Sequence, residues 1–217
     1  IASFEDLSYS LQNSRIIAYN GGGKVPKLDK SVKQYHVYCY IGYDILETNQ
    51  VKNYKTIWGN LYKELFQPTP LLEKALQSYA HLKENQFIAV HLRFVNALEH
   101  FEGNQFNFLS SKQKEDLIIR CITAIQDIIN DNPDKQVVVF SDSNLFLTRI
   151  KKELPVHVLE GKIGHISFSG NEDIIIKTFI DFYMMSKASH VIRILAPEMY
   201  GTVFSYYAAL AGNKTCT

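Results

Sequence analysis

Two residues two positions apart, His91 and Arg93, stand at the end of an apolar run, FIAVHL over residues 87–92. Arginine presents a planar fork of donors that fits two phosphate oxygens. Histidine adds a hydrogen bond or carries a proton. On an extended strand, alternation turns both side chains to one side and Leu92 to the other. The same pair also reads as a surface arginine beside a satisfied histidine. A second group, Ser141-Asp142-Ser143-Asn144, follows the apolar run at 136–140. Asp142 can accept hydrogen bonds from a base or a ribose, or cap a helix starting near 144, a role that suits Ser143. The third is Gly201-Thr202-Val203-Phe204-Ser205. Its hydroxyls and free N–H groups at a helix start suit an anion or simple capping. A cationic pair, a carboxylate and an anion-attracting helix start together describe a site for a nucleoside diphosphate. The chain has no GxxxxGK[ST] loop and no GxGxxG fingerprint, and Gly21-Gly22-Gly23 matches neither.

These residues need a frame that brings strand ends together. From residue 86 the rhythm is regular: strand 86–92, helix 111–129, strand 136–140, helix 144–154, strand 156–159, helix 172–187, strand 190–195 and helix 200–211. Continuous apolar strands alternating with helices predict an α/β fold, a doubly wound parallel sheet of Rossmann-like type with helices on both faces. Ligands bind such sheets past the carboxyl ends of the strands, which is where all three groups fall. Ser110 or Ser111 caps the helix at 111, and Asn132-Pro133 stops it. Before residue 85 the pattern is mixed. It contains strands at 15–19 and 36–41, a helix over 49–66 with Ile57, Leu61 and Leu65 on one face, and a helix over 70–84 with Thr69 as cap and Pro70 at its first position. The expected division is therefore a smaller or truncated N-terminal lobe, 1–85, and a ligand-binding domain, 86–217.

The 217 residues suffice for one large domain or two small lobes. A net charge of +1 gives no reason to expect nucleic acid or an anionic membrane surface as partner. Cys39, Cys121 and Cys216 form no CxxC and no zinc-spaced cluster, so free thiols are expected, with no metal site. No apolar run approaches the ~20 residues of a membrane span, and no leader is visible. These features make a cytoplasmic location the expectation. The aromatic content, 13 Tyr and 13 Phe, reads as packing, with stacking on sugars or bases as the other reading.

Three stretches, in order, resemble the α-1,2, α-1,6 and protein O-fucosyltransferases. Residues 87–93 (FIAVHLR) resemble that superfamily's HxR strand, and residues 137–143 (VVVFSDS) its second motif. Residues 181–210 (DFYMMSKASHVIRILAPEMYGTVFSYYAAL) resemble the third. The resemblance implies a GT-B-like fold in which residues 86–217 bind the donor GDP-fucose and residues 1–85 form an acceptor-side lobe. It implies inverting transfer of fucose to a glycan or other hydroxyl acceptor, without a metal or other cofactor. By it, His91 and Arg93 are the catalytic pair and meet the diphosphate or the leaving oxygen, Asp142 lies near the guanosine, and Ser141 belongs to the donor-binding set. Thr202, Val203, Phe204 and Ser205 line the phosphate and base pocket. Glu99, His100 and Glu102, on the loop after the HxR strand, are acceptor-side base candidates or simply solvated. The sequence departs from the motifs in having Phe94 for a second arginine, Asn96 for an aspartate, and Thr202-Val203 for two serines. Two other functions fit the same residues: a nucleotide-sugar-binding domain without catalysis, and a Rossmann-like interaction protein without a nucleotide.

Overall fold

The structure, a computed structural model, describes residues 14–19, 29–32, 34–39, 52–100, 109–164 and 171–217. Gly21–Gly23 and Glu102 lie outside the described residues, as does the side chain of Cys39. The chain forms two compact units, Ile1–Tyr54 and Lys55–Thr217. In the first, strands β1 (Ser14–Tyr19) and β2 (Gln34–Cys39) pair in parallel, from Ser14 opposite Gln34 to Tyr19 opposite Cys39.

The second unit is built on a four-stranded parallel sheet. Its strands are β3 (Phe87–Leu92), β4 (Gln136–Ser141), β5 (His157–Val158) and β6 (His190–Arg193), in the order β5-β4-β3-β6. The helices are α1 (Tyr54–Leu65), α2 (Pro70–Gln77), α3 (Ser111–Asp131), α4 (Asn144–Glu153), α5 (Glu172–Lys187) and α6 (Phe204–Ala211). Strand alternation sorts the core into two layers. Ile88, Val90, Leu92, Val137 and Val139 meet α3 and α4 on one face. Phe87, Ala89, Val138, Phe140 and Val191 meet α2, α5 and α6 on the other. The chain thus winds β3-β4-β5 outward with helices on one face, then returns to place β6 on the far side of β3 with helices on the second. The reversal of strand order between β3 and β6 is the point where doubly wound sheets open a crevice at their carboxyl ends.

Local signals explain most helix starts. Thr69 caps α2, accepting from Leu72 N–H, with Pro70 at the first turn. Ser110 and Gln113 make a reciprocal capping box at α3. Ser143 caps α4 through Phe146 N–H. Three expectations need correction. First, α2 ends at Gln77, and residues 78–86 continue as turns with Asn85 at a φ of 63°. Second, the closing helix begins at Phe204, so Gly201, Thr202 and Val203 precede it. Third, the Ile57, Leu61 and Leu65 stripe is the outer face of α1, with exposures of 43%, 49% and 70%. Its inner face carries Gly59, where a Cβ would lie 2.3 Å from the Leu210 carbonyl oxygen. Trp58 and Tyr62 flank that glycine and stack into an aromatic cluster with Tyr207, Phe182 and Tyr183. Close backbone approach and ring packing decide the buried face here, and the aliphatic spacing does not. The change of rhythm near residue 85 also differs from the unit division, since α2 packs into the second unit's core through Leu72 and Leu76.

Candidate active site at the carboxyl ends of β3 and β6

His91 sits in the last turns of β3, beside Phe140 of β4 and opposite Arg193 of β6. By alternation His91, Arg93, Asp142 and Arg193 belong to the face covered by α5 and α6. All four lie at its carboxyl edge. The imidazole is 6% exposed and packs against the Phe204 ring at 6.0 Å between centroids. Its Nδ1 is buried without a hydrogen-bond partner. Burial, reinforced by Arg93 and then Arg193, lowers its pKa to about 3. The ring is therefore neutral at physiological pH.

Arg93 follows directly, its Nε 3.6 Å from Asp142 Oδ2. The Asp142 carboxylate also accepts Phe94 N–H at Oδ1 and Val95 N–H at Oδ2, each at 2.8 Å. Both oxygens are thus occupied in shaping the turn after β3. That turn is strained: Val95, a β-branched residue, takes a φ of 53°. Burial raises the Asp142 pKa above the usual carboxylate range, against the pull of the Phe94 N–H and Arg93. Ser141 falls on the α3–α4 side by alternation, and its hydroxyl accepts Ser143 N–H at 3.2 Å. Glu99 joins α4: its Oε1 accepts from the Ser143 hydroxyl at 2.7 Å and from Leu145 N–H at 3.0 Å, a second cap on that helix. His100 is exposed.

The segment after β6 folds back over β3. Ile194 N–H donates to the His91 carbonyl, and Tyr200 N–H to that of Arg93, both at 3.1 Å. Thr202 Oγ1 accepts Phe204 N–H, which opens α6. Val203 occupies the cap position with no side-chain cap bond and is 47% exposed. Ser205 is fully buried, its hydroxyl without a partner. The structure thus gathers His91, Arg93, Asp142, Thr202 and Phe204 at one edge and sends Ser141 and Glu99 to α4. Sequence reading did not single out Arg193. The one local sign was an arginine interrupting the apolar strand HVIRIL. Its neighbourhood with His91 depends on β6 pairing with β3, which no local pattern reveals.

No family profile and no curated protein matches this chain. Among solved structures it is similar to the α-1,6-fucosyltransferase NodZ co-crystallised with GDP, at 17% identity and a TM-score of 0.45, over 65% of this chain and 41% of that one. It is similar to POFUT1 in complex with GDP at 18% identity and 0.42, over 74% and 49%. To apo POFUT1 the values are 12% and 0.45, over 100% and 77%. The chain spans less than half the length of the two GDP-bound structures. The likeness is one of α/β architecture, and the parallel sheet rests on this chain's own strand order. It assigns neither activity nor substrate. Among the described residues, no helix is long and apolar enough to cross a membrane, and no cluster of three or more His, Cys, Asp or Glu is placed to hold a metal ion.

Proposed function

We propose that this chain carries the donor site of an inverting, metal-independent glycosyltransferase that moves fucose from GDP-fucose to a glycan or other hydroxyl acceptor. On this reading residues 86–217 hold the donor and residues 1–85 contribute the acceptor side, with α1 and α2 of that stretch packed on the donor-binding unit. One observation carries it. His91, with a buried unpartnered nitrogen, and Arg93 stand at the sheet's switch point beside the start of α6. Buried polar atoms without partners call for an explanation, and a phosphate-bearing ligand at that edge supplies one. The order of the three fucosyltransferase-like motifs supports the identity of the sugar nucleotide.

In this mechanism the acceptor oxygen attacks the anomeric carbon from the face opposite the leaving group. The bond from that carbon to the diphosphate oxygen breaks, its electron pair goes to the diphosphate, and the acceptor hydroxyl's proton passes to water. Charge develops on the leaving oxygen, and Arg93 neutralises it. Neutral His91 donates a hydrogen bond and orients the phosphates. The Asp142 clamp sets the turn that aims Arg93. Glu99 is engaged at α4 and is left out of the catalytic set.

The test is transfer of labelled fucose from GDP-fucose to a panel of glycans, with GDP calorimetry alongside. Arg93→Ala lowers transfer by roughly 100-fold or more, in line with loss of one donor to a developing oxyanion, while its circular dichroism matches the parent. Full activity in that variant removes the mechanism. A recognition-only function has one observation in its favour. Phe94 packs against Phe146 in the core and Asn96 is fully buried, so the positions of the resembled second arginine and aspartate face inward. GDP-fucose binding with no turnover selects that reading.

A further inference from the structure

Arg193 stands at the carboxyl end of β6, paired with His91 of β3. Its backbone is held on both sides. Its N–H donates to Thr217 O at 2.7 Å on the outer edge of β6, and on the inner edge the following residue, Ile194, donates to His91 O. Among the described residues its half-buried side chain donates from Nη1 to the Thr202 carbonyl at 2.9 Å, and its buried Nε has no partner. Among the described residues no carboxylate pairs with it. A guanidinium withdrawn from water without a counter-charge is unfavourable. Here it also stands one strand from His91, with Arg93 two residues further along β3 on the same face, and the field of both arginines reaches that imidazole. Asp142 is placed to offset Arg93. Nothing described offsets Arg193. The Thr202 carbonyl it holds lies two residues ahead of α6, so its fork sits under the start of that helix, where backbone N–H groups also favour an anion.

We propose that Arg193 is a phosphate-binding residue: together with Arg93, beside His91, it grips the phosphates of a nucleoside diphosphate at the junction of β3 and β6. This rests on the nucleotide-sugar reading above and deepens it. The chain resembles motifs with two adjacent arginines but has Phe94 at the second position. Arg193 restores the second cation from a different strand.

The experiment is calorimetric titration of wild type, Arg193→Gln and Arg193→Lys with guanosine, GMP and GDP. Wild type binds GDP most tightly. Loss of a charge-assisted contact lowers GDP affinity of Arg193→Gln by about 10- to 100-fold. The penalty grows from guanosine through GMP to GDP, and Arg193→Lys recovers part of it. A purely structural role, propping the Thr202 turn, lowers all three affinities equally, and that result overturns the proposal. Unchanged GDP affinity in Arg193→Gln overturns it as well. If Arg193→Gln does not fold, Arg193→Lys decides alone, since its point charge still discriminates ligands by phosphate number. Failure of wild type to bind any of the three defeats the nucleotide-sugar reading itself, an outcome distinct from a null effect of the substitutions.

Discussion

Replacing Asp142 by asparagine tests how the site is built. The carboxylate accepts two backbone N–H groups at 2.8 Å and faces the Arg93 guanidinium at 3.6 Å. It holds Val95 in the left-handed region at a φ of 53°, a strain on the order of 1–3 kcal/mol for a β-branched residue. Hydrogen bonds to a charged group contribute about 1.5–3 kcal/mol each, so two of them outweigh the strain. Asparagine keeps one acceptor oxygen, now uncharged, and sets an NH₂ group against the other buried N–H. The expected loss in urea unfolding is roughly 2–4 kcal/mol, one lost charged bond and one weakened. Amide exchange at Phe94 and Val95 speeds up more than elsewhere in β3. Affinity for GDP, GMP and UDP falls together, because the turn carrying Arg93 relaxes. A variant within ~0.5 kcal/mol of wild type, with protected Phe94 and Val95 amides, refutes the clamp. Loss confined to guanine nucleotides refutes it differently, by showing that Asp142 reads the base.

Two further outcomes follow from buried titratable groups. His91 titrates near 3 in the folded chain against 6.5 for the free side chain. As pH falls below about 6.5 the unfolded chain takes up the proton first. Stability therefore drops by up to ~1.4 kcal/mol per pH unit and levels off near 3. His91→Asn flattens that slope in denaturation curves at pH 4 to 6, and an unchanged slope contradicts the assignment. Lys177 on α5 pairs with Asp181 at 2.6 Å, largely buried. Lys177→Met strands the carboxylate and costs about 3–5 kcal/mol, whereas adding Asp181→Leu recovers most of it. A double variant that loses the sum of the Lys177→Met and Asp181→Leu losses would show that the pair's partners act independently.

The sheet was legible because β3 and β4 are mostly continuous apolar runs, as strands buried on both faces are. The caps Thr69, Ser110 and Ser143 were legible because capping is local. His91 and Arg93 showed themselves through alternation at a strand end. Other features depend on contacts across the chain. Asp142 looked like a cap or a ligand for the base, and its bonds run to residues 47 and 48 positions away. Glu99 read as a loop acid until α4 supplied its partners. Arg193 required the strand order, since a residue on β6 adjoins His91 only when β6 lies beside β3. The outer stripe of α1 misled for a related reason. Gly59 and its aromatic neighbours pack against a surface 150 residues away in the chain, and aliphatic periodicity does not register that.

The central claim, a nucleoside diphosphate site at the β3–β6 junction, meets its most direct test in thermal denaturation with ligand. At 100 times the dissociation constant a ligand specific to the folded state adds about 2.7 kcal/mol. That raises the midpoint of a domain this size by roughly 5–11 °C. GDP and GDP-fucose are expected to produce that rise in wild type and to lose it in Arg93→Ala, with UDP and CDP smaller in effect. No shift with millimolar GDP, or an equal shift in wild type and Arg93→Ala, contradicts the account.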